Sequence, residues 1–165
     1  MNKRILNASA IVASLVVVAV LFEVPVSTHH SFAMYDQTKV VTLTGVVKQF
    51  VPQANHAEIH FLLLAPDHKS FAKASDGKNV EWGLEMAGTA QLERQGISPK
   101  TFGPGTVFSV RLNPLRDGSN FGARVGASAI VKCPVDSTTN KPKLPEPGKH
   151  CDSVAGHTLS GGNAF

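Results

Sequence analysis

The chain has 165 residues, with 16 Lys and Arg against 12 Asp and Glu and a formal net charge of +4 with its histidines neutral. No run of the chain concentrates this modest excess, so the electrostatic footprint of a nucleic-acid-binding domain is missing. The length suits one domain behind a short leader, and no internal repeat suggests a solenoid.

Lys3 and Arg4 precede residues 5–22, which are apolar or small apart from Asn7, Ser9 and Ser14. A basic start, an apolar run and a short polar exit at Pro25, Ser27 and Thr28 are the layout of a bacterial secretory signal. The expectation is therefore a signal peptide over residues 1–28. The alternative is an uncleaved anchor, because the apolar run approaches the roughly 20 residues a spanning helix needs. Either way the body of the protein lies outside the cytoplasm, in the periplasm or beyond it.

Residues 40–51, VVTLTGVVKQFV, are β-branched and aromatic-rich and predict a long first strand, with Gly45 marking a bulge or bend. Residues 56–64 alternate and predict a second strand, residues 66–79 a polar hairpin connection, and residues 80–86 a third strand. The period then changes. Thr89 is a plausible N-cap, good helix formers follow it, and Gly96 supplies a stop, so residues 89–96 predict a short helix. Ser98-Pro99 suggests one further helical turn. Residues 103–106, GPGT, turn the chain into a fourth strand over 107–112, Asp117-Gly118 marks a loop, and residues 123–132 predict a fifth strand.

Three strands, a helix, then two strands, with a bent first strand, predict an all-β fold: a small OB-like Greek-key β-barrel over residues 29–132, with one short helix between strands three and four. The alternative is an open β-sandwich. Residues 133–165 form a Pro-rich C-terminal tail with little core of its own. It holds Cys133 and Cys151, the chain's two cysteines, which an oxidising compartment would join as a disulfide. Zinc held by Cys133, His150, Cys151 and His157 is the competing reading on residue type, although the spacing matches no strong zinc pattern.

Alternation sends His56, Glu58 and His60 to one face of strand two and Ala57, Ile59, Phe61 and Leu63 to the other. On strand three, Glu81, Gly83 and Glu85 share the face opposite Val80, Trp82, Leu84 and Met86. Paired as a hairpin, the two strands gather imidazoles and carboxylates on one surface, which is either a solvated exterior or metal-ligand chemistry. Cleavage after Thr28 would leave His29 terminal, its amine and imidazole able to chelate Cu(II). Cleavage after Ser27 would leave Thr28-His29-His30, whose third-position imidazole joins the amine and backbone amides around Cu(II) or Ni(II). Met34, a soft thioether nearby, would suit Cu(I), although a lone methionine is more often a packing residue.

The segments HHSFAMYD (29–36), VTLTGVVKQF (41–50), NHAEIHF (55–61), VEWGLEM (80–86), LERQGI (92–97) and GPGTVFSVRLNPLRDGSNFG (103–122) occur in this order. Together they resemble a domain-of-unknown-function family of small exported bacterial proteins whose mature chains start near a His-His-Ser-Phe segment. The resemblance covers residues 29–132 and implies an exported OB-like barrel, but no reaction. Where such chains carry Asn-Pro-His-Ala, this one has Ala54-Asn55-His56-Ala57. Glu85 falls on the strand-three pattern, and Glu58 stands where an aromatic is common. The candidate metal ligands are accordingly His29, His30, His56 and Glu85, with His60 and Glu58 as accessories and copper as the expected ion. A non-metal module gripping a peptide, sugar or small molecule is the alternative. No nucleophile elbow, phosphate-binding Gly-rich loop or HExxH is present, and the carboxylates Glu58 and Glu85 are the nearest approach to catalytic machinery.

Overall fold

A computed structural model describes residues 32–156 together with 158 and 159. The predicted signal segment, His29, His30 and His157 lie outside the described residues. The strands are β1 (Val41–Val51), β2 (Glu58–Leu63), β3 (Glu81–Glu85), β4 (Val107–Pro114), β5 (Phe121–Arg124) and β6 (Ile130–Lys132). Helix α1 (Thr89–Arg94) follows β3, and a short α2 (Asp152–Ala155) lies in the tail. No helix among the described residues is long and apolar enough to cross a membrane.

Strand pairing runs β1-β2-β3-β5-β4 and returns from β4 to β1, closing a barrel in which β3 and β5 run parallel and the other neighbours antiparallel. Closure leaves none of these five strands with a fully open edge. The predicted OB-like barrel is the observed architecture.

Strand β1 serves two neighbours because it bends. Residues Val41 to Val46 pair with β4, and Gly45 to Val51 pair with β2, so the partners overlap at Gly45 and Val46. A Cβ on Gly45 would lie 2.4 Å from Cδ2 of Phe61 and 2.7 Å from the Leu62 carbonyl oxygen, so only glycine fits there. The bulge itself falls further on, where the register with β2 shifts between Val47 and Gln49 and leaves Lys48 unpaired.

The inward set of β2 fills the barrel: Ala57, Ile59 and Phe61 are fully buried, whereas Leu63 near the strand end is only half-buried. Phe61 and Phe102 each meet Phe108 edge-on, at centroid distances of 5.1 and 6.0 Å. Leu92 of α1, with Ile97 and Phe102 beyond it, belongs to the same core and packs the helix into the barrel. The helix starts at Thr89 as expected, but Gly88 occupies the cap position and the Thr89 hydroxyl instead donates to the Gln53 carbonyl. Gly96, at φ +74°, ends that turn, and Phe102 N–H donating to Ser98 O forms the further turn after it.

Two expectations need correction. The predicted fifth strand over residues 123–132 is two strands. Both β5 and β6 lie on the same edge of β4, opposite Leu112–Pro114 and Phe108–Val110 respectively. Between them Gly126 takes φ +98° and Ala127–Ala129 form a 3-10 turn that lifts the chain off the ladder. The run Gly-Ala-Ser-Ala has no β-branched residue to hold it extended, and glycine permits the excursion.

The tail, secondly, has a core. Cys133 and Cys151 form a disulfide and are fully buried with Val107, Val131 and Leu159 in a second apolar cluster against the barrel wall. With both sulfurs bonded to each other, the zinc reading loses its thiolates. His68 is buried at φ +55° with Nδ1 3.2 Å from the Pro145 carbonyl oxygen, which ties the β2–β3 connection to the tail.

A buried relay fastens the tail further. Cys151 N–H donates to Ser109 Oγ, Ser109 and Thr44 share a hydrogen bond of 2.7 Å, and Thr44 Oγ1 lies 2.8 Å from His150 Nδ1. Burial, with His68 adding to it and Asp152 opposing, holds the His150 imidazole below its ordinary 6.5. The unfolded chain therefore binds this proton more readily, and the stability tied to neutral His150 is present above about pH 6.5 and is lost as pH falls below it. Urea unfolding between pH 7.5 and 5 should show that decline, and His150→Gln should flatten it. An unchanged slope in the variant would remove His150 from the account.

Candidate functional site

The β2–β3 register sets a polar ladder on the outside of the barrel. Glu58 stands opposite Glu85, His60 opposite Gly83 and Leu62 opposite Glu81. Facing carboxylates destabilise a sheet, and each of these has its own imidazole. His60 Nε2 donates to Glu58 Oε2 at 3.0 Å, while His56 Nδ1 lies 3.5 Å from Glu85 Oε1. The ladder continues from His60 Nδ1 to Glu81 Oε1 at 3.9 Å and from Glu81 to Lys48 Nζ at 2.6 Å. Alternation thus gathered the four predicted residues His56, Glu58, His60 and Glu85. They form two histidine–carboxylate pairs, and among the described residues no three His, Cys, Asp or Glu side chains converge as a metal cluster.

Tyr35 closes the ladder's lower end. Its backbone bridges to Leu115, which ties Tyr35 to the barrel. The ring is fully buried, and its hydroxyl completes no hydrogen bond of normal geometry. Burial, then the adjoining Glu85 and Glu58 carboxylates, push the phenol well above its usual range and keep it protonated. Met34, considered for soft-metal binding, is exposed one residue earlier.

Beside His56 and Glu85 a cleft of about 390 Å³ opens. Its apolar wall is built from Phe32, Met86, Ala87, Ala123 and Ala127, and its polar lining from His56, Glu85, Gln91, Gln95 and Arg124. The break between β5 and β6 makes one side: Arg124 ends β5, and Gly126 and Ala127 form the excursion. Helix α1 makes the other through Gln91, and Gln95 just past it. Gly88 seals the corner, where a Cβ would lie 2.0 Å from the Ala54 carbonyl oxygen. A concave site with apolar walls and a few convergent polar groups is the usual form of a small-ligand site.

Sequence reasoning found His56 and Glu85 but missed Tyr35, Gln91, Gln95 and Arg124. Arg124 lay inside the segment expected to be one continuous strand, so nothing marked it as the edge of an opening. The glycine two residues later was the available signal.

The model of a family of unknown function, DUF6152, matches residues 16–124. The chain belongs to that family. The DUF6152 match ends at Arg124, so it takes in the ladder and most of the cleft wall but stops before the excursion and the disulfide-bonded tail. No curated protein matches the chain. Among solved structures, one similar chain is the mitochondrial single-stranded DNA binding protein Rim1 of S. cerevisiae, at 8% identity over 57% of this chain and 92% of that one. Its TM-score of 0.37 is too low to carry an argument.

Proposed function

We propose that this DUF6152 protein is an exported binding module that takes a small ligand into the cleft between β3, α1 and the β5–β6 excursion. The observation that carries the reading is the cleft itself: about 390 Å³ with apolar walls, and the His56–Glu85 pair and Arg124 at its lining. Export is supported by the leader's layout and by a disulfide, which persists in oxidising compartments. The rigid barrel supplies the walls and the excursion supplies the opening, so ligand capture needs no large rearrangement.

The test is a thermal-shift panel of neutral, anionic and cationic fragments on the wild-type chain and on Ala127→Trp. Ala127 is exposed on the rim, where an indole would fill the cleft. A ligand that binds only the native state raises Tm by mass action. Members of at least one class should stabilise the wild type and leave Ala127→Trp unmoved. A panel without effect on the wild type, or with equal effect on both, contradicts the proposal.

A second reading, copper binding, is supported by the His56–Glu85 pair at 3.5 Å and by the adjacent His29 and His30 of the sequence. In this reading His29, His30 and His56 hold the ion with Glu85 beside them, and His60 and Glu58 act as accessories. Affinity should fall on acidification, because protons compete for the same nitrogens. Cu(II) titration of a chain beginning at His29 should weaken when the terminal amine is blocked or when His56 becomes Ala. Affinity that survives both changes together with loss of His29 and His30 rejects it.

A further inference from the structure

Arg124 is a half-buried cation with no ion-pair partner among the described residues. Its Nη2 donates to Gln95 Oε1 at 2.9 Å on the exposed rim, and its Nη1 is sealed from water with no hydrogen-bond partner among the described residues. Burial lowers the guanidinium's proton affinity, yet an arginine stays charged in proteins. A charge and a donor left uncompensated are costly, and a native structure that keeps them calls for a reason.

From these contacts we infer that Arg124 is the anion-recognising residue of the cleft and that the ligand is a small carboxylate with an apolar body. This deepens the binding-module reading and rests on it. A guanidinium fork matches a carboxylate with two parallel N–H donors, and such charge-assisted pairs are roughly twice as strong as neutral ones. Gln95 is a neutral placeholder: an incoming carboxylate takes its position on Nη2, and only by displacing Gln95 from the fork does its second oxygen reach the sealed Nη1. The ligand's apolar body then packs on Met86, Ala87 and Ala123, which line the cleft alongside Arg124. A bare anion would leave that wall wet, and a neutral ligand would leave the guanidinium uncompensated. Glu85 on the same cleft disfavours a second negative group and restricts the ligand to one acidic end.

Calorimetric titration of the disulfide-bonded chain with hexanoate, hexanamide and inorganic phosphate tests this. Hexanoate should bind one per chain, and hexanamide about tenfold more weakly, a difference of ~1.4 kcal/mol. Phosphate should be weaker than hexanoate. Arg124→Gln should abolish the preference for hexanoate over hexanamide. Gln95→Ala, on the rim, should keep or strengthen hexanoate binding, because an internal competitor is gone, and it tests the account even if the Arg124 variant does not fold. Equal binding of hexanoate and hexanamide to the wild type, or weakened hexanoate binding in Gln95→Ala, overturns the role of Arg124 and leaves the cleft reading standing. Phosphate binding as tight as hexanoate overturns the apolar body. Failure of all three probes to bind removes the inference, while the cleft reading is then decided by the fragment panel.

Discussion

Phe61→Ala should be the most damaging single truncation in the barrel, with a loss of about 3–5 kcal/mol. Phe61 is fully buried, meets Phe108 edge-on at 5.1 Å, and fills the space that Gly45 leaves open on β1. Removing the ring takes away its transfer energy and opens a cavity at the bend where β1 passes from β4 to β2. Neighbouring strands cannot collapse into that space without breaking the closed ladder. Small domains hold about 5–15 kcal/mol in total, so the variant should sit near the folding threshold, with Tm lower by on the order of 15 °C. Urea unfolding with an unchanged m-value measures it. Leu144→Ala, at an exposed tail position, is the control and should stay within about 0.5 kcal/mol. A Phe61→Ala loss below about 1 kcal/mol would mean that the bend at Gly45 is not packed as described.

Loss of the Cys133–Cys151 bond is the second large effect. The bridge closes a loop with a sequence separation of 18, for which chain entropy gives roughly 3 kcal/mol. Cys133→Ala with Cys151→Ala should lower stability by about that amount, and the loss should be local in character. The second cluster around Val107, Val131 and Leu159 loses its anchor, and the Ser109 hydroxyl risks losing the Cys151 amide that donates to it. The cleft takes no lining residue from the tail, so ligand binding should survive. Hydrogen exchange should accelerate across residues 133–155 and stay slow in β2 and β3. Uniform acceleration throughout the barrel would show that the tail is part of one cooperative core.

The fold was readable because its determinants are periodic and local. Strand two alternates cleanly between His56, Glu58 and His60 on one side and Ala57, Ile59 and Phe61 on the other, and burial follows that split. The helix between strands three and four announces itself by a change of period. What escaped depends on contacts distant in sequence. The halving of the last strand comes from how Gly126 behaves beside β4, and pattern alone reads 123–132 as continuous. The tail's core needs Val107 and Val131 from the barrel, so its own Pro-rich composition hid it. The site shows the same division. Alternation gathered His56 and Glu85, but Arg124 joins them only through the parallel β3–β5 pairing, in which Glu85 aligns with Ala123. Such a pairing leaves no local mark.

The most direct measurement of the central claim is a chemical-shift map of the isotopically labelled, disulfide-bonded chain during titration with whichever fragment gives the largest thermal shift. The account predicts changes confined to Phe32, to residues 85–88 and 123–127, to the His56 imidazole and to the Gln91 and Gln95 side-chain amides, with Ala127→Trp abolishing them. Changes centred on His60, Glu81 and Lys48 along the outer ladder, or persisting in Ala127→Trp, would contradict it.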